Sequence, residues 1–284
     1  MAELSEEDAR WAESAIGQRV VESRGLREGG APWLVRFDGG ATAVLRRGGA
    51  FDTDVAALRL AAGHGIPVPS LLAVGDDVML VSVVAGSSRV PVEPTAGRFA
   101  ALGAAAAMVH AVPLTPSADL PLRHRPIELE DFDRWRRRDG MSALLREAED
   151  AVARLPEPPC DPVFLHGDLW EGNTIWRDGE LAAIVDWDCA GAGHPGVDLG
   201  SLRCDVAVLF GGGAEDVVLA GWQDTIGRPA DGMAYWDVVA SLSTPPDLGD
   251  WESTIQDQGR PDLEGPTLTA RRDEFLRAAL DELG

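Results

Sequence analysis

Apolar and polar positions follow two different periods along this chain. Near the start, Ser5-Glu6-Glu7-Asp8 has the form of a capping box, and Ala12, Ala15 and Ile16 recur at helical spacing, which predicts a helix. Val20-Val21-Glu22 reads as a strand, and residues 23–32, with Gly25, Gly29 and Gly30, read as a loop. Trp33-Leu34-Val35-Arg36-Phe37 and Thr42-Ala43-Val44-Leu45-Arg46 flank Asp38-Gly39-Gly40, the pattern of a β-hairpin. Thr53 is placed to cap a helix over residues 54–62, and Pro67 and Pro69 end that segment. Residues 71–74 and 78–84 form a second strand pair around Gly75-Asp76-Asp77. The first part is therefore expected to be mostly antiparallel sheet with one helix.

Beyond Gly86 the helical period takes over. Residues 97–110 and the strongly charged residues 128–155 read as helices. Two short apolar strands, Val163-Phe164-Leu165 and Ala183-Ile184-Val185, flank a polar loop, and the remainder to Leu283 reads as helices joined by Trp- and Pro-rich connections. A strand-rich half followed by a helix-rich half predicts an α+β chain in two lobes, residues 1–86 and 87–284, with a cleft between them. No internal repeat is visible. The run Arg136-Arg137-Arg138 reads as a solvated helix face, paired with nearby Glu and Asp, rather than as an anion site.

Composition narrows the classes. At 45% hydrophobic residues, 284 residues suffice for a sizeable core. Cys160, Cys189 and Cys204 are odd in number and widely spaced, against a disulfide framework or a zinc site, so a reducing, cytoplasmic location is expected. The acidic start lacks the basic and apolar regions of a signal peptide, and the longest apolar run, residues 99–109, is too short to span a bilayer. A formal net charge of −22 disfavours nucleic acid and anionic membrane as partners and suits a cationic small molecule. All 25 basic residues are arginine, with one tyrosine and one asparagine. Such depletion also fits GC-rich coding bias, which lowers the weight of the charge as a substrate signal.

The chemistry concentrates in His166-Gly167-Asp168-Leu169-Trp170-Glu171-Gly172-Asn173, which follows an apolar strand, and in Asp186-Trp187-Asp188, which follows the next. Phosphoryl transfer needs a carboxylate to take the hydroxyl proton, oxygen ligands for magnesium, and a cation on the non-transferred phosphates. Asp168 can supply the base and Asn173, five residues on, one metal ligand; Asp186 arrives from the next strand as the second. A neutral amide coordinates metal without adding negative charge beside a triphosphate. Asn173 is the chain's one asparagine, at the position a metal ligand would need; the alternative is an Asx-turn in a surface loop.

His-Gly-Asp, four residues, then Asn, followed by Ile184-Val185-Asp186-Trp187-Asp188 and Gly193-His194-Pro195-Gly196-Val197-Asp198-Leu199-Gly200, resembles the aminoglycoside phosphotransferase family. That family has the protein-kinase-like fold and includes choline, fructosamine and macrolide kinases. The resemblance runs from about Val20 to the C-terminal helix and is strongest over residues 166–202. It implies a small antiparallel N-terminal nucleotide-binding lobe with one helix and a larger, mainly helical catalytic lobe. It also implies ATP or GTP as phosphoryl donor, magnesium, and a hydroxyl-bearing acceptor. By the same resemblance His166 braces the loop from behind, and Asp198 ties loop amides to the following helix. Asp188 either touches a second metal or caps a turn, and Trp170 either shapes the substrate-side wall or packs in the core.

Kinases place a lysine on the third strand, paired with a glutamate on a helix. This chain has no lysine, and Arg46 stands in that place. Val44 and Arg46 share one strand face, so Val44 is expected to line the adenine pocket and Arg46 to reach the phosphates. Asp54 is either its helix partner or a helix-start acid favoured by the dipole, and Arg47, on the opposite face, is expected to be solvent-exposed. The loop with Ser23 and Gly25 is expected to cover the phosphates, and backbone groups of Ser82 and Val84 to bind the adenine edge. The expected activity is phosphorylation of an aminoglycoside-like or other cationic small molecule. The alternatives are a metabolic kinase of an amino sugar or ketosamine, suggested by His166-Gly167-Asp168-Leu169-Trp170, and a nucleotide-binding pseudokinase. A protein kinase is disfavoured because the chain has neither Asp-Phe-Gly nor Ala-Pro-Glu.

Overall fold

The structure, a computed structural model, describes residues 4–27 and 30–284. Its first part runs α1 (Glu6–Ile16), β1 (Val20–Arg27), β2 (Gly30–Phe37), β3 (Thr42–Arg47), α2 (Asp52–Gly63), β4 (Leu71–Val74) and β5 (Val78–Ser82). The second part holds α3 (Ala96–His110), β6 (Leu122–Arg123), α4 (Phe132–Asp139), α5 (Ala143–Arg154), β7 (Val163–Leu165), β8 (Thr174–Arg177), β9 (Glu180–Ile184) and β10 (Gly191–Gly193). It closes with α6 (Gly196–Phe210), α7 (Ala214–Ile226), α8 (Met233–Leu242), α9 (Glu252–Asp257) and α10 (Gly265–Leu283). An antiparallel sheet followed by helices is the expected α+β arrangement.

Strands β1 to β5 form one sheet of order β1-β2-β3-β5-β4, antiparallel at each pairing. Period-2 alternation sorts its two faces. Ala43 and Leu45 of β3 turn toward α1, into a cluster with Ala12, Val35, Phe37, Val78 and Leu80. Val44 and Arg46 therefore face the other way. Helix α1 opens as its sequence predicts: Ser5 Oγ accepts from the Asp8 N–H and donates to Asp8 Oδ2 at 2.7 Å.

Five expectations are corrected. Residues 23–27 and 30–32 are strand rather than loop: β1 continues to Arg27 and β2 begins at Gly30, with Arg24 opposite Leu34 and Gly25 opposite Trp33. Glycine disfavours a strand without forbidding one, and the cross-strand ladder, with bulges near both ends, overrides that preference. Gly29 lies outside the described residues. Helix α2 begins before Thr53, at Asp52, with Phe51 at its N-cap and no side-chain cap; Asp52 and Asp54 in the first turn complement the helix dipole instead. The long charged helix is two helices, broken at Gly140 (φ 88) and restarted by Ser142, which caps α5. Arg136 is buried rather than solvated; the expected acidic pairing is present, to Glu149 at 2.8 Å and to Asp133, and the Leu242 carbonyl also accepts from it. The polar segment after Asn173 holds a further strand, β8, turned into β9 through Asp178 (φ 55) and Gly179 (φ 86), both in the left-handed region that a two-residue hairpin turn requires.

One apolar cluster runs from the sheet into the helices, joining Phe51, Leu58 and Met79 to Leu102, Trp187, Leu199, Leu202 and Trp222. Helices α3 and α7 meet closely because each offers a glycine. A Cβ on Gly103 would lie 2.0 Å from the Val218 carbonyl oxygen, and one on Gly221 would lie 2.2 Å from that of Ala100. Among the described residues no helix is long and apolar enough to cross a membrane.

Candidate active site

The loop after β7 is held from below by a buried carboxylate. Asp198, in the first turn of α6, accepts the backbone N–H of His166 at 2.8 Å and of Gly167 at 2.7 Å. His110, the last residue of α3, donates from Nε2 to Asp198 Oδ2 at 3.1 Å, and its Nδ1 accepts from Trp222 Nε1 at 2.9 Å. Burial alone would raise the Asp198 pKa; these donors outweigh it and hold it below the usual range. His166 donates from Nε2 to the Val185 carbonyl at 2.9 Å and accepts the Asp168 N–H on Nδ1 at 3.2 Å. Those roles require a neutral ring, and burial lowers the His166 pKa accordingly. Gly167 has φ 82, and a Cβ there would meet the Cys189 carbonyl oxygen at 2.1 Å, so the turn admits only glycine.

The turn over Glu171–Asn173 and the β8–β9 hairpin bring three polar side chains together. Asn173 Nδ2 donates to the Asp168 carbonyl at 2.9 Å and to Asp168 Oδ2 at 3.0 Å, which leaves Oδ1 for another partner. The Asn173 carbonyl accepts the Val185 N–H at 2.9 Å, so Asp186 follows directly beside Asn173. Asp186 has φ 67, a left-handed conformation uncommon for a residue other than glycine, and this turns its carboxylate toward the sheet. There Arg46 bridges two carboxylates: one guanidinium nitrogen bonds Asp54 of α2, and the other bonds Asp186 Oδ1 at 2.7 Å. Asp54 is buried, which pushes its pKa up to about 6 against the opposing pull of Arg46. Arg47 is exposed, as expected, and is paired with Asp8 of α1 and, at 2.9 Å, with Asp77; it also touches the cleft described next.

These groups sit at a cleft of about 1110 Å³ between the sheet and the helices. Its lining includes Arg24, Gly25, Leu34, Val44, Arg46, Val81, Ser82, Val84, Asn173, Asp186 and Asp188. Arg24, Leu34, Val44 and Val81 are successive partners across β1, β2, β3 and β5, which makes them one rank of the roof. Ser23 does not join it: it pairs with Val35, whose side chain is buried on the other face, and Arg24 takes the cleft position instead. The Ser82 N–H is spent on the Ser70 carbonyl at 2.8 Å, so only its carbonyl could face a base. Trp170 is packed against an apolar cluster with Val90, Cys204 and Phe275 and covers Gly172; it stands outside the cleft lining.

Burial holds the Asp168 carboxyl well above the usual range, and Asp205, Asp186 and Asp188 add to the shift. Asp205, absent from the sequence expectations, lies seven residues beyond Asp198 on the same face of α6. Burial alone pushes its pKa up to about 7, and among the described residues no partner meets its carboxyl. Its sequence signal is an isolated acid in the apolar run Cys204-Asp205-Val206-Ala207-Val208-Leu209. The donor set of Asn173 Oδ1 and the Asp186 carboxylate fits magnesium, a hard cation that takes one or two protein oxygens and completes its shell with phosphate and water.

Residues 24–236 match the model of the phosphotransferase enzyme family, and the chain belongs to that family. It is a small-molecule phosphotransferase of protein-kinase-like fold, of the class that moves a phosphoryl group from nucleotide to hydroxyl. Solved structures of similar fold include macrolide 2'-phosphotransferase MphH from Brachybacterium faecium (20% identity, TM-score 0.61, 92% of this chain and 96% of that one). A candidate fructosamine-3-kinase from Thermobifida fusca is similar at 21% identity and TM-score 0.60, over 96% of this chain and 98% of that one. Spectinomycin phosphotransferase, solved with ADP and spectinomycin, is similar at 11% identity and TM-score 0.64, over 99% of this chain and 98% of that one. No curated protein sequence matches the chain significantly.

Proposed function

We propose that this protein transfers the γ-phosphoryl group of ATP, or of GTP, to a hydroxyl of a cationic, aminoglycoside-like small molecule. The observation that carries the reading is the convergence of Asp168, Asn173 and Asp186 on one cleft, with Arg46 joined to both Asp186 and Asp54. The nucleotide enters between two lobes, residues 1–86 and 87–284, with Val44 over the base and Val84 and the Ser82 carbonyl at its edge. Arg46 grips the α- and β-phosphates, and Asp54 fixes its direction. Asp168 takes the proton of the acceptor hydroxyl as the oxygen attacks phosphorus in line, and its raised pKa makes it a stronger acceptor once ionised. Asn173 and Asp186 would hold magnesium, which when bound neutralises charge on the phosphates. His166 and Asp198 hold the loop that carries Asp168. The carboxylates Asp188 and Asp205 near Asp168, and the net charge of −22, favour a cationic acceptor over an anionic one. The compartment in keeping with three free cysteines is the cytoplasm.

A second reading, a metabolic kinase of an amino sugar or ketosamine, is favoured by His166-Gly167-Asp168-Leu169-Trp170 and by the likeness to the candidate fructosamine-3-kinase. Incubation with γ-labelled ATP and magnesium against aminoglycosides, macrolides, peptide antibiotics and amino sugars separates the two. Label should appear on a hydroxyl of an amine-bearing acceptor and be lost when its amines are acetylated. Labelling confined to ketosamines would establish the second reading, and labelling of neutral acceptors alone would remove the cationic requirement.

A further inference from the structure

The turn that delivers Asn173 is gripped from outside the cleft by a pair of residues the chemistry above does not use. Glu171, two residues before Asn173, is fully buried, and Arg98 forks it: Nε lies 2.9 and 3.1 Å from its two carboxylate oxygens and NH2 lies 2.7 Å from Oε2. The Arg98 guanidinium also stands 4.1 Å from the centre of the Trp176 ring, in cation–π contact. Trp176 returns the contact to the turn. Its Nε1 donates to Thr174 Oγ1 at 2.7 Å, and Thr174 Oγ1 donates to the Glu171 carbonyl at 2.6 Å. Trp176 is also bonded by its backbone, in both directions at 2.9 Å, to Ser87, the residue after Gly86. Gly86 lies so close that a Cβ on it would meet the Trp176 carbonyl oxygen at 2.5 Å.

Two features separate this pair from an ordinary surface ion pair. Arg98 sits in the first turn of α3, three residues after the Thr95 cap, where the helix dipole disfavours a cation. A carboxylate with no exposed surface is costly unless it is fully hydrogen-bonded. The fold accepts both costs within two residues of a proposed metal ligand.

We infer that Arg98 and Glu171 are positioning residues, which set the turn so that Asn173 Oδ1 meets the metal of a metal–nucleotide complex. The inference rests on the phosphotransferase reading only in taking Asn173 as a metal ligand. The pair acts through Asn173 and touches neither nucleotide nor acceptor. Its fork and the stacking on Trp176 fix the orientation of the turn, which a single charge or an apolar contact in the same volume would not.

The test is calorimetry of a non-hydrolysable ATP analogue with and without magnesium, alongside thermal melting. Three variants are compared: Arg98→Lys, Glu171→Gln, and the double replacement Arg98→Met with Glu171→Leu. The double replacement removes the buried charges together, a change that is often neutral for stability. In all three, affinity without magnesium should match that of the parent, while the magnesium-dependent gain falls about tenfold, the loss typical when a group orienting a metal ligand is removed. Arg136→Lys, which disturbs a buried arginine remote from the cleft, should lower Tm and leave the magnesium gain intact. A magnesium gain preserved in the folded double variant would overturn the inference, and so would an equal loss in Arg136→Lys. If the parent itself showed no magnesium gain, the assignment of Asn173 would fall first.

Discussion

Arg46 bonds both Asp54 and Asp186, and its neighbour Arg47, paired instead with Asp8 and Asp77, is a control built into the chain. Arg46→Ala should raise the nucleotide KM and lower kcat, because the lost contact also orients the phosphates. Arg46→Lys should recover part of that, since an ammonium cannot hold Asp54 and Asp186 with two separate prongs. Arg47→Ala should leave both constants near the parent's and lower Tm slightly, because its partners Asp8 and Asp77 tie α1 and the β4–β5 turn to β3. Steady-state kinetics on the three variants decide this; a crippled Arg47→Ala beside a normal Arg46→Ala would reverse the assignment. Asp205 gives a pH prediction. Its folded pKa, about 7, lies well above the ordinary carboxylate range, so the native state holds the proton longer than the unfolded chain. Stability is then greatest below the unfolded value and is lost as pH rises through the folded one. Asp205→Asn removes that loss. Its Tm should exceed the parent's by several degrees at about pH 8 and match it at about pH 4, and equal melting at both would contradict the assignment. The sequence pointed to Asp168 and Asn173 because their spacing is local and Asn173 is the chain's one asparagine. It could not show Arg98 with Glu171, 73 positions apart, or tell Asp205 from any other helix acid.

At the scale of elements, the loop of residues 166–173 is only as rigid as the helices beneath it. Helix α3 supplies His110 at one end and Arg98 at the other, and both reach that loop through Asp198 and Glu171. Its distance from α7 is set by Gly103 and Gly221. Gly103→Ala would drive a methyl into the Val218 carbonyl and force the helices apart. The expected cost is about 3 kcal/mol, or a Tm lower by roughly 5–10 °C, with kcat falling as the loop loses register. A thermal melt within a degree of the parent's would contradict the close packing of α3 and α7. Sequence pattern located α3 and the β2–β3 hairpin well, because each carries its period over enough residues to be read alone. It missed the far half of β1, where Gly25 and the glycines after it mark a loop by local preference. Only the facing strand, which no local window contains, supplies the pairing that overrides this. The same reasoning covers β8, whose Asp178-Gly179 turn was the available signal.

At the scale of the whole molecule, an antiparallel sheet closes over helices around a cleft of about 1110 Å³, and the carboxylates that line it suit a chain whose formal charge is −22. Neither side of the cleft holds the proposed chemistry by itself: Arg46 and Asp54 come from the sheet side, Asp168, Asn173 and Asp186 from the helical side. Fold class was legible because the switch from strand to helix period divides the chain near Gly86. The acceptor was not, since no motif in the sequence specifies it. The most direct measurement of the central claim is single-turnover transfer of labelled γ-phosphate to the best acceptor, comparing the parent with Asp168→Asn. The substitution keeps the shape of the side chain and removes its basicity. Transfer should slow by about 10²–10⁴-fold while nucleotide affinity stays within a few-fold of the parent's. Transfer at the parent's rate by Asp168→Asn would contradict the account.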